Sequence, residues 1–258
     1  MIRIAISGAC GRMGERIFSL ALKEKCFRVT GLIESHSHPM IGKKLEGGYE
    51  ITDDIAAVAD GTDVFIEFSS AEATIRHLEI MEKKRKKVVI GTTGFSKARL
   101  ERIKRASKKI PVLMSPNMSM GVNLLFRLAE ESAKKLGNYD VEIVEVHHNQ
   151  KKDAPSGTAR KLAEIIAGAK NIDLKKSAVY GREGMTGPRK PGEIGIMSVR
   201  SGDVVGEHTV IFAGTGERLE LAHKAQSRDP LASGALAAAK WLSGKKPGLY
   251  DMMDVLGL

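Results

Sequence analysis

The sequence predicts an α/β protein in which a doubly wound parallel sheet is joined to a second, α+β domain with a mainly antiparallel sheet. Along the first hundred residues, short apolar strands alternate with segments that have apolar residues at helical spacing, which is typical of βαβ units. From about Asn117 onward, strand-like segments follow one another across glycine-containing turns, which indicates hairpins. A chain of 258 residues is long enough for two domains of roughly 100–200 residues each.

The N-terminal part is expected to contain the parallel sheet. Predicted strands cover residues 2–7, 27–34, 64–68, 88–91 and 112–114. Predicted helices cover residues 13–22, 72–84 and 96–108. Pro111 ends the third of these helices, because proline cannot continue a helix. We expect the helices to flank the sheet.

The second part is expected to combine helices with a meander. Predicted helices cover residues 121–136 and 158–169, and a predicted strand covers residues 140–146. Three further strands are predicted at residues 194–199, 207–212 and 219–224. The turn sequences Ser-Gly-Asp at 201–203 and Gly-Thr-Gly at 214–216 separate them, so hairpins are predicted. An alanine-rich helix at 230–242 is expected to pack rather than to form a solvated tail.

The composition is that of a globular protein with a positive charge. Hydrophobic residues make up 42% of the chain and charged residues 28%, which excludes a disordered or fibrous protein. The 41 Lys and Arg residues exceed the 31 Asp and Glu residues, for a net charge of +10. This excess predicts an anionic partner. The basic run at 83–87 ends a predicted helix, where cations complement the helix dipole, and no nucleic-acid-binding motif accompanies it, so no nucleic acid is expected.

The cysteines and the N-terminus predict a cytoplasmic protein. Cys10 and Cys26 have no second pair with them, which excludes a disulfide framework and a zinc ribbon. The first residues reach glycines before a signal-peptide apolar region forms. No run approaches the roughly 18 apolar residues that span a bilayer, so no membrane association is expected.

A glycine motif after the first strand predicts a dinucleotide site. The motif runs from Gly8 to Gly14 and opens a predicted helix, whose N-terminus suits a pyrophosphate. Glu34 closes the next strand twenty residues after Gly14, where an acid that binds a ribose is expected. Ser35 stands where a basic residue would bind a 2′-phosphate, which leaves Arg12 and His36 for that contact and both NADH and NADPH as possible cofactors. The predicted contact residues are Gly8, Ala9, Cys10, Gly11, Arg12, Met13 and Glu34.

Two later loops are expected at the same sheet edge, since ligands bind outside the carboxyl ends of parallel strands. They supply the further predicted cofactor contacts Gly91, Thr92, Thr93, Ser115, Pro116, Asn117 and Met118. Ordinary turn chemistry is the alternative interpretation of both loops.

The segment 145–158 carries the strongest concentration of reactive side chains. His147, His148 and Lys151 lie at and after the end of a strand. A histidine can supply a proton near neutral pH, and a lysine can pair with an anion or act as the acid itself. Ser156 is a predicted helix cap, and the N–H groups of Gly157 and Thr158 at that helix N-terminus suit a carboxylate.

A structural interpretation of the two histidines is that one packs and the other is solvated. They lack a matched third ligand at short spacing, so no metal is predicted. His208 and His223 are interpreted as sheet residues.

Together these motifs resemble the 4-hydroxy-tetrahydrodipicolinate reductase (dihydrodipicolinate reductase) family over nearly the whole chain. The resemblance rests on Glu34 and on the motifs at 8–14, 91–94, 117–123, 147–158, 206–209 and 216–220. It implies a Rossmann-like dinucleotide-binding domain at 1–117, completed by residues 229–258, and a substrate-binding and oligomerisation domain at 118–228. It also implies a homotetramer.

The resemblance implies an NAD(P)H-dependent oxidoreductase that reduces a cyclic imine dicarboxylate in diaminopimelate and lysine biosynthesis. It assigns the proton donor to His147 and a supporting catalytic role to Lys151. His148, Lys151, Ser156, Gly157 and Thr158 are the predicted substrate contacts. Two alternatives stay open: an amino-acid dehydrogenase of the aspartate or homoserine type, and a nucleotide-sensing DNA-binding protein.

Overall fold

The computed structural model describes residues 1–258 and divides the chain into two compact units. Unit 1 comprises residues 1–120 and 228–258, and unit 2 comprises residues 121–227. The strands are β1 Ile2–Ser7, β2 Phe27–Ile33, β3 Ile51–Thr52, β4 Val64–Glu67, β5 Lys87–Ile90, β6 Pro111–Met114, β7 Asp140–His147, β8 Ala178–Val179, β9 Ile194–Arg200, β10 Gly206–Gly214, β11 Glu217–Ala225 and β12 Gly248–Tyr250. The helices are α1 Arg12–Ala21, α2 Ile55–Asp60, α3 Ala71–Lys83, α4 Lys97–Ser107, α5 Met120–Lys135, α6 Gly157–Ala169, α7 Leu174–Ser177, α8 Asp229–Leu242 and α9 Met252–Leu256, with a 3₁₀ turn at Glu46–Gly48.

The sheet of unit 1 has seven parallel strands in the order β12-β6-β5-β4-β1-β2-β3. The chain proceeds from β1 to β2 and β3 on one side, and then returns to β4, β5 and β6 on the other. The order therefore reverses between β1 and β4, and a doubly wound sheet binds ligands at the carboxyl ends of the strands beside such a reversal. The predicted Rossmann-like class is confirmed.

Helices cover both faces of this sheet, which is why its strands are almost wholly apolar. Helix α1 buries Ile17, Phe18 and Ala21 in the core on one face. Helix α8 reaches the same core with a row of small and apolar side chains: Ala232, Ala235, Leu236, Ala238, Ala239 and Leu242. A Cβ added to Gly234 in this helix would lie 1.8 Å from the carbonyl oxygen of Met118, so only glycine permits this close packing. The predicted burial of the alanine-rich helix is confirmed.

The sheet of unit 2 is mixed, with the order β11-β10-β7-β9-β8. Strand β10 runs antiparallel to β11 and to β7, whereas β9 runs parallel to β7 and to β8. The predicted hairpin between β10 and β11 is confirmed, with Gly216 at a φ of +80° in its turn.

The predicted hairpin between β9 and β10 is wrong. Strand β7 lies between them, and the chain reaches β9 from β7 through helix α6. Because a helical crossover returns the chain in its original direction, β9 pairs in parallel with β7 and leaves the other edge of β7 to β10.

No helix of the chain combines the length and the apolar character that crossing a membrane requires.

Candidate active site

The glycine motif forms a tight turn between β1 and α1. Gly8 has a φ of +72°, and a Cβ on it would lie 2.4 Å from the carbonyl oxygen of Phe68. A Cβ on Gly14 would lie 2.0 Å from the carbonyl oxygen of Gly8. Helix α1 starts at Arg12, and no side chain caps its N-terminus. The turn therefore leaves a cradle of backbone at a helix N-terminus, a geometry that suits a phosphate.

Glu34 is tied to this turn. Its Oε1 accepts the backbone N–H of Cys10 at 3.0 Å, and its Oε2 accepts the backbone N–H of Ser35 at 3.2 Å. The predicted acid and the predicted phosphate loop are thus brought together by a direct hydrogen bond.

The candidates for a 2′-phosphate contact differ in their surroundings. Nδ1 of His36 lies 2.5 Å from Asp53 Oδ2, and this hydrogen bond lowers the pKa of Asp53. Ser35 is exposed, and Arg12 is exposed at the start of α1. A phosphate beside His36 would therefore lie near the carboxylate of Asp53.

A cavity of about 350 Å³ opens at the carboxyl ends of β1, β2 and β4. Sequence reasoning assigned several of its lining residues and missed others, the missed ones being Ser7, Phe68, Ser69, Ser70, Ala73, Arg76 and His77. Beneath it, the fully buried Glu67 accepts hydrogen bonds from Ser69 and lies 2.6 Å from Nδ1 of His77. The only signal for this cluster in the sequence is an acidic residue that ends an apolar strand.

The other two predicted loops lie at the carboxyl ends of β5 and β6. Thr92 is buried and its hydroxyl donates to the carbonyl oxygens of Glu67 and Ser69, while Thr93 is exposed. A Cβ on Gly91 would lie 2.1 Å from the Phe68 ring. In the second loop, Ser115 donates to the carbonyl oxygen of Asn117 at 2.8 Å.

Two members of that second loop lie in contrasting environments. Met118 is buried in the core, whereas Pro116 is exposed. The side chain of Met118 is therefore part of the packing of unit 1, and only its backbone contributes to the surface of the loop.

Cys10, Glu34 and His38 are close enough to share a cation, with their ligand atoms all within 4.8 Å of one another. Partial burial, together with the charges of Glu34 and Glu15, raises the pKa of the Cys10 thiol. A protonated thiol is a poor metal ligand. The expectation of no metal stays a prediction.

In unit 2, His147 is the last residue of β7 and lies beside a wholly buried carboxylate. Its Nδ1 is 2.5 Å from Oε2 of Glu145, two residues earlier on the same face of the strand. Two N–H groups of Arg200 donate to the same carboxylate at 2.9 and 3.0 Å. Burial by itself would raise the pKa of Glu145, but hydrogen bonds from Arg200, His147 and Ser198 lower it to about 2.

The start of α6 is built against these residues. Ser156 caps the helix by accepting the N–H of Ala159, and its own backbone N–H donates to Oε1 of Glu145 at 3.1 Å. The Ser156 hydroxyl also lies 2.9 Å from Nε2 of His208, whose ring contacts that of His147 edge to face. Gly157 and Thr158 form the first turn. The side chain of Ser156 is therefore engaged inside the protein, and its predicted substrate contact stays a prediction.

The other predicted residues of this loop, Lys151 and His148, are more exposed than Ser156. Lys151 pairs with Asp153 at 2.8 Å, and its own side chain is only 18% exposed. His148 lies beyond the strand and is half-buried.

Burial lowers the pKa of His147, and the positive charges of Lys151 and Arg200 lower it further, while the negative charge of Glu145 raises it.

Sequence reasoning missed Glu145, Arg200 and Gly206, and it interpreted His208 as a sheet residue. A Cβ on Gly206 would lie 3.0 Å from Nε2 of His147, so the glycine leaves room beside that nitrogen. Glu145 could have been found from the two-residue period of the strand, which places it on the same face as His147. Arg200 and Gly206 depend on strand pairing that no local pattern reveals.

The comparisons with known proteins agree with this architecture. Residues 2–118 match the family model of the dihydrodipicolinate reductase N-terminus, and residues 121–256 match that of the C-terminus. The chain is 49% identical to a 4-hydroxy-tetrahydrodipicolinate reductase of Syntrophotalea carbinolica over 266 residues, with both chains covered in full. It is 52% identical to the protein of the same name in Aquifex aeolicus over 270 residues, covering 100% of this chain and 99% of the other.

A solved structure shares the fold. A dipicolinate-bound dihydrodipicolinate reductase from Paenisporosarcina sp. TG-14 superposes with a TM-score of 0.82 at 23% identity and covers 98% of each chain. The family predicted from the sequence motifs is confirmed. The two family models together span nearly all of this sequence, and the chain therefore belongs to the dihydrodipicolinate reductase family.

Proposed function

We propose that this protein reduces 4-hydroxy-tetrahydrodipicolinate to tetrahydrodipicolinate with NADH or NADPH, in the diaminopimelate route to lysine. The observation that carries the proposal is full-length identity of 49% and 52% to proteins named for this activity. In the balanced reaction, the substrate gains a hydride and a proton and loses its hydroxyl as water. Neither alternative from the sequence has comparable support.

The cofactor part of the proposal rests on unit 1. The backbone cradle between Gly8 and Arg12 holds the pyrophosphate, and Glu34 accepts a ribose hydroxyl. Gly91, Thr92 and Thr93, with residues 115–118, would contact the nicotinamide part of the dinucleotide. The cradle fits this role because Gly8 and Gly14 permit a tight turn that a Cβ at either position would prevent. When bound, NADH or NADPH supplies the hydride.

The substrate part rests on unit 2. The first turn of α6 offers the N–H groups of Gly157 and Thr158 to one carboxylate, and Lys151 and His148 lie in the same loop for further polar contact. His147 donates the proton that follows the hydride, from Nε2, because its Nδ1 is occupied by Glu145. A dianionic substrate also raises the proton affinity of His147 at the moment when a proton is needed.

The decisive assay follows nicotinamide absorbance with freshly generated substrate, with NADH and NADPH in parallel. Turnover with at least one cofactor is the expected result. Absence of turnover with both, in a protein that still binds a dinucleotide, would contradict the proposed reaction.

The wider setting of the enzyme is also part of this proposal. We infer a homotetramer in the cytoplasm that binds neither nucleic acid nor membrane. The edge strand β11 supports assembly, because most of its side chains are exposed and the apolar side chain of Leu219 is among them.

Local contacts of the basic run at 83–87 support the absence of a nucleic-acid partner. Lys84 pairs with Asp60, and Arg85 donates to the carbonyl oxygen of Lys109. Light scattering and a DNA-retention assay at low salt test these points.

A further inference from the structure

Glu145 connects the two functional parts of the loop at 145–158. Its Oε2 faces Nδ1 of His147 at 2.5 Å, and its Oε1 accepts the backbone N–H of Ser156 at 3.1 Å. Arg200 donates to both oxygens and to the carbonyl oxygen of Asp153. The side chain of Glu145 has no exposed surface. One buried carboxylate therefore fixes both the imidazole and the residue that caps α6.

The ionisation of Glu145 determines which nitrogen of His147 carries a fixed proton. With its pKa lowered to about 2, the carboxylate is ionised at all physiological pH values and can only accept hydrogen bonds. Nδ1 of His147 must then carry a proton in both the neutral and the charged imidazole. Nε2 is left as the nitrogen that gains and loses a proton, on the side where Gly206 leaves space.

The charges around His147 come from several elements. Glu145 lies on the same strand, Arg200 ends β9, Lys151 follows β7, and the ring of His208 packs from β10. The negative charge of Glu145 favours the imidazolium, whereas the charges of Arg200 and Lys151 disfavour it. His208 is buried and its pKa is lowered to about 4, so it is neutral near pH 7. Glu145 is thus the one carboxylate in contact with the His147 ring.

We propose that Glu145 is a positioning residue for the reaction. It retains the Nδ1 proton of His147, so that Nε2 delivers the proton. It also sets the separation between Nε2 of His147 and the carboxylate-binding turn of α6. The inference rests on the proposed function, in which His147 is the proton donor. It adds a residue that acts only through His147 and the Ser156 amide.

The first test is the pH dependence of steady-state kinetics for Glu145→Gln. Removing the negative charge should move the high-pH fall in kcat to lower pH by about one to three units, as expected when an opposite charge in direct contact is lost. We expect kcat at pH 7 to fall by about tenfold or more, with KM for the dinucleotide unchanged. Glu145→Asp, which keeps the charge, should restore much of the pH profile. Glu142→Gln is the matched control, because Glu142 lies on β7 and pairs with Arg182 and Arg189 instead of a histidine.

The second test needs no variant to be active. In protein labelled with ¹⁵N-histidine, the His147 signals are identified by their loss in His147→Gln. At a pH where His147 is neutral, its side-chain shifts should show the Nδ1–H tautomer in the wild-type protein. The Nε2–H tautomer in the wild-type protein would overturn the proposal, whether or not Glu145→Gln folds.

These outcomes separate the inference from the proposed function. Wild-type turnover in His147→Gln would remove the assignment of the proton donor. An impaired His147→Gln, combined with a wild-type pH profile in Glu145→Gln, would refute only the role of Glu145. In the His147→Gln background, Glu145→Gln should lower kcat by a smaller factor than in the wild-type protein, since the part of its role that acts through the His147 ring is already lost while its bond to the Ser156 amide is still removed.

Discussion

Glu34 Oε1 accepts the backbone N–H of Cys10 at 3.0 Å, so the end of β2 is hydrogen-bonded to the turn that precedes α1. In the proposed function, this carboxylate accepts a hydroxyl of the ribose that adjoins the pyrophosphate. Its position links the affinity for a dinucleotide to the shape of the turn.

Replacing Glu34 should weaken dinucleotide binding. Glu34→Ala removes an acceptor for the ribose and the partner of the Cys10 amide, and hydrogen bonds to charged groups contribute about 1.5–3 kcal/mol each. We expect the Kd for NADH to rise by about tenfold or more, measured by nicotinamide fluorescence. Glu46→Ala, in the exposed 3₁₀ turn, is the control. An unchanged Kd in Glu34→Ala would argue against the ribose assignment.

Ser35→Arg should improve the use of NADPH. The change places a guanidinium next to Glu34, where a 2′-phosphate would lie, and Arg pairs with phosphate through two hydrogen bonds. We expect kcat/KM for NADPH to rise by about tenfold relative to that for NADH. Ser37→Arg adds the same charge at an exposed site two residues away and should leave the ratio within about twofold. Equal effects of the two variants would show that net charge alone is responsible.

His147→Gln and Lys151→Ala should lower turnover by about a hundredfold or more, because general acid catalysis contributes about 10²–10⁴-fold. Dinucleotide binding should be nearly unchanged in both variants, since these residues belong to unit 2. Lys152→Ala changes an exposed neighbour and is the control. Stopped-flow kinetics and cofactor titration measure the two properties separately.

The pH dependence of kcat/KM should differ from that of kcat. A proton donor must be protonated, so the rate falls as pH rises through its pKa. In the free protein, burial lowers the pKa of His147 below 6.5, and Lys151 and Arg200 lower it further. The fall in kcat/KM should therefore begin below pH 6.5, whereas the fall in kcat should lie at higher pH, because a bound dianion favours the imidazolium. Coincident profiles at pH 6.5 or above would contradict this assignment.

His208 should make the protein sensitive to mild acid. Burial is the main cause that lowers its pKa to about 4, against 6.5 for an exposed histidine. The unfolded chain therefore takes up a proton first as pH falls. The contribution of His208 to stability is complete above pH 6.5, declines between 6.5 and 4, and amounts to about 3 kcal/mol.

Urea unfolding at a series of pH values tests this contribution. His208→Gln should reduce the loss of unfolding free energy between pH 6.5 and 4. His38→Gln, at a partly exposed site in unit 1, should leave that loss unchanged.

Sequence patterns predict the parallel sheet well, because each strand there is a short apolar run followed by an amphipathic helix. They fail at the connection between β9 and β10, where the glycine turn at 201–203 looks like a hairpin. The pairing of β9 is determined by the crossover through α6, and a crossover has no local signature. The short strands β3, β8 and β12 are missed because two or three residues carry no period.

The candidate site was predictable to the extent that its residues follow strands or begin helices. His147, Lys151 and the start of α6 lie within one continuous segment. Arg200 and His208 reach the same place from other strands, and Arg200 is bound there because a buried carboxylate requires charged donors. That requirement is visible only once Glu145 is known to be buried.

The close contact between α8 and the core of unit 1 has a consequence for folding during synthesis. Helix α8 and strand β12 leave the ribosome only after all of unit 2 has been made. Until then, β6 has no partner at its outer edge, and core residues such as Val89 and Leu113 lack the alanine face that covers them. The first unit to be started is therefore the last to be completed, and nascent chains released early would expose an apolar sheet face and an open strand edge, both of which promote aggregation.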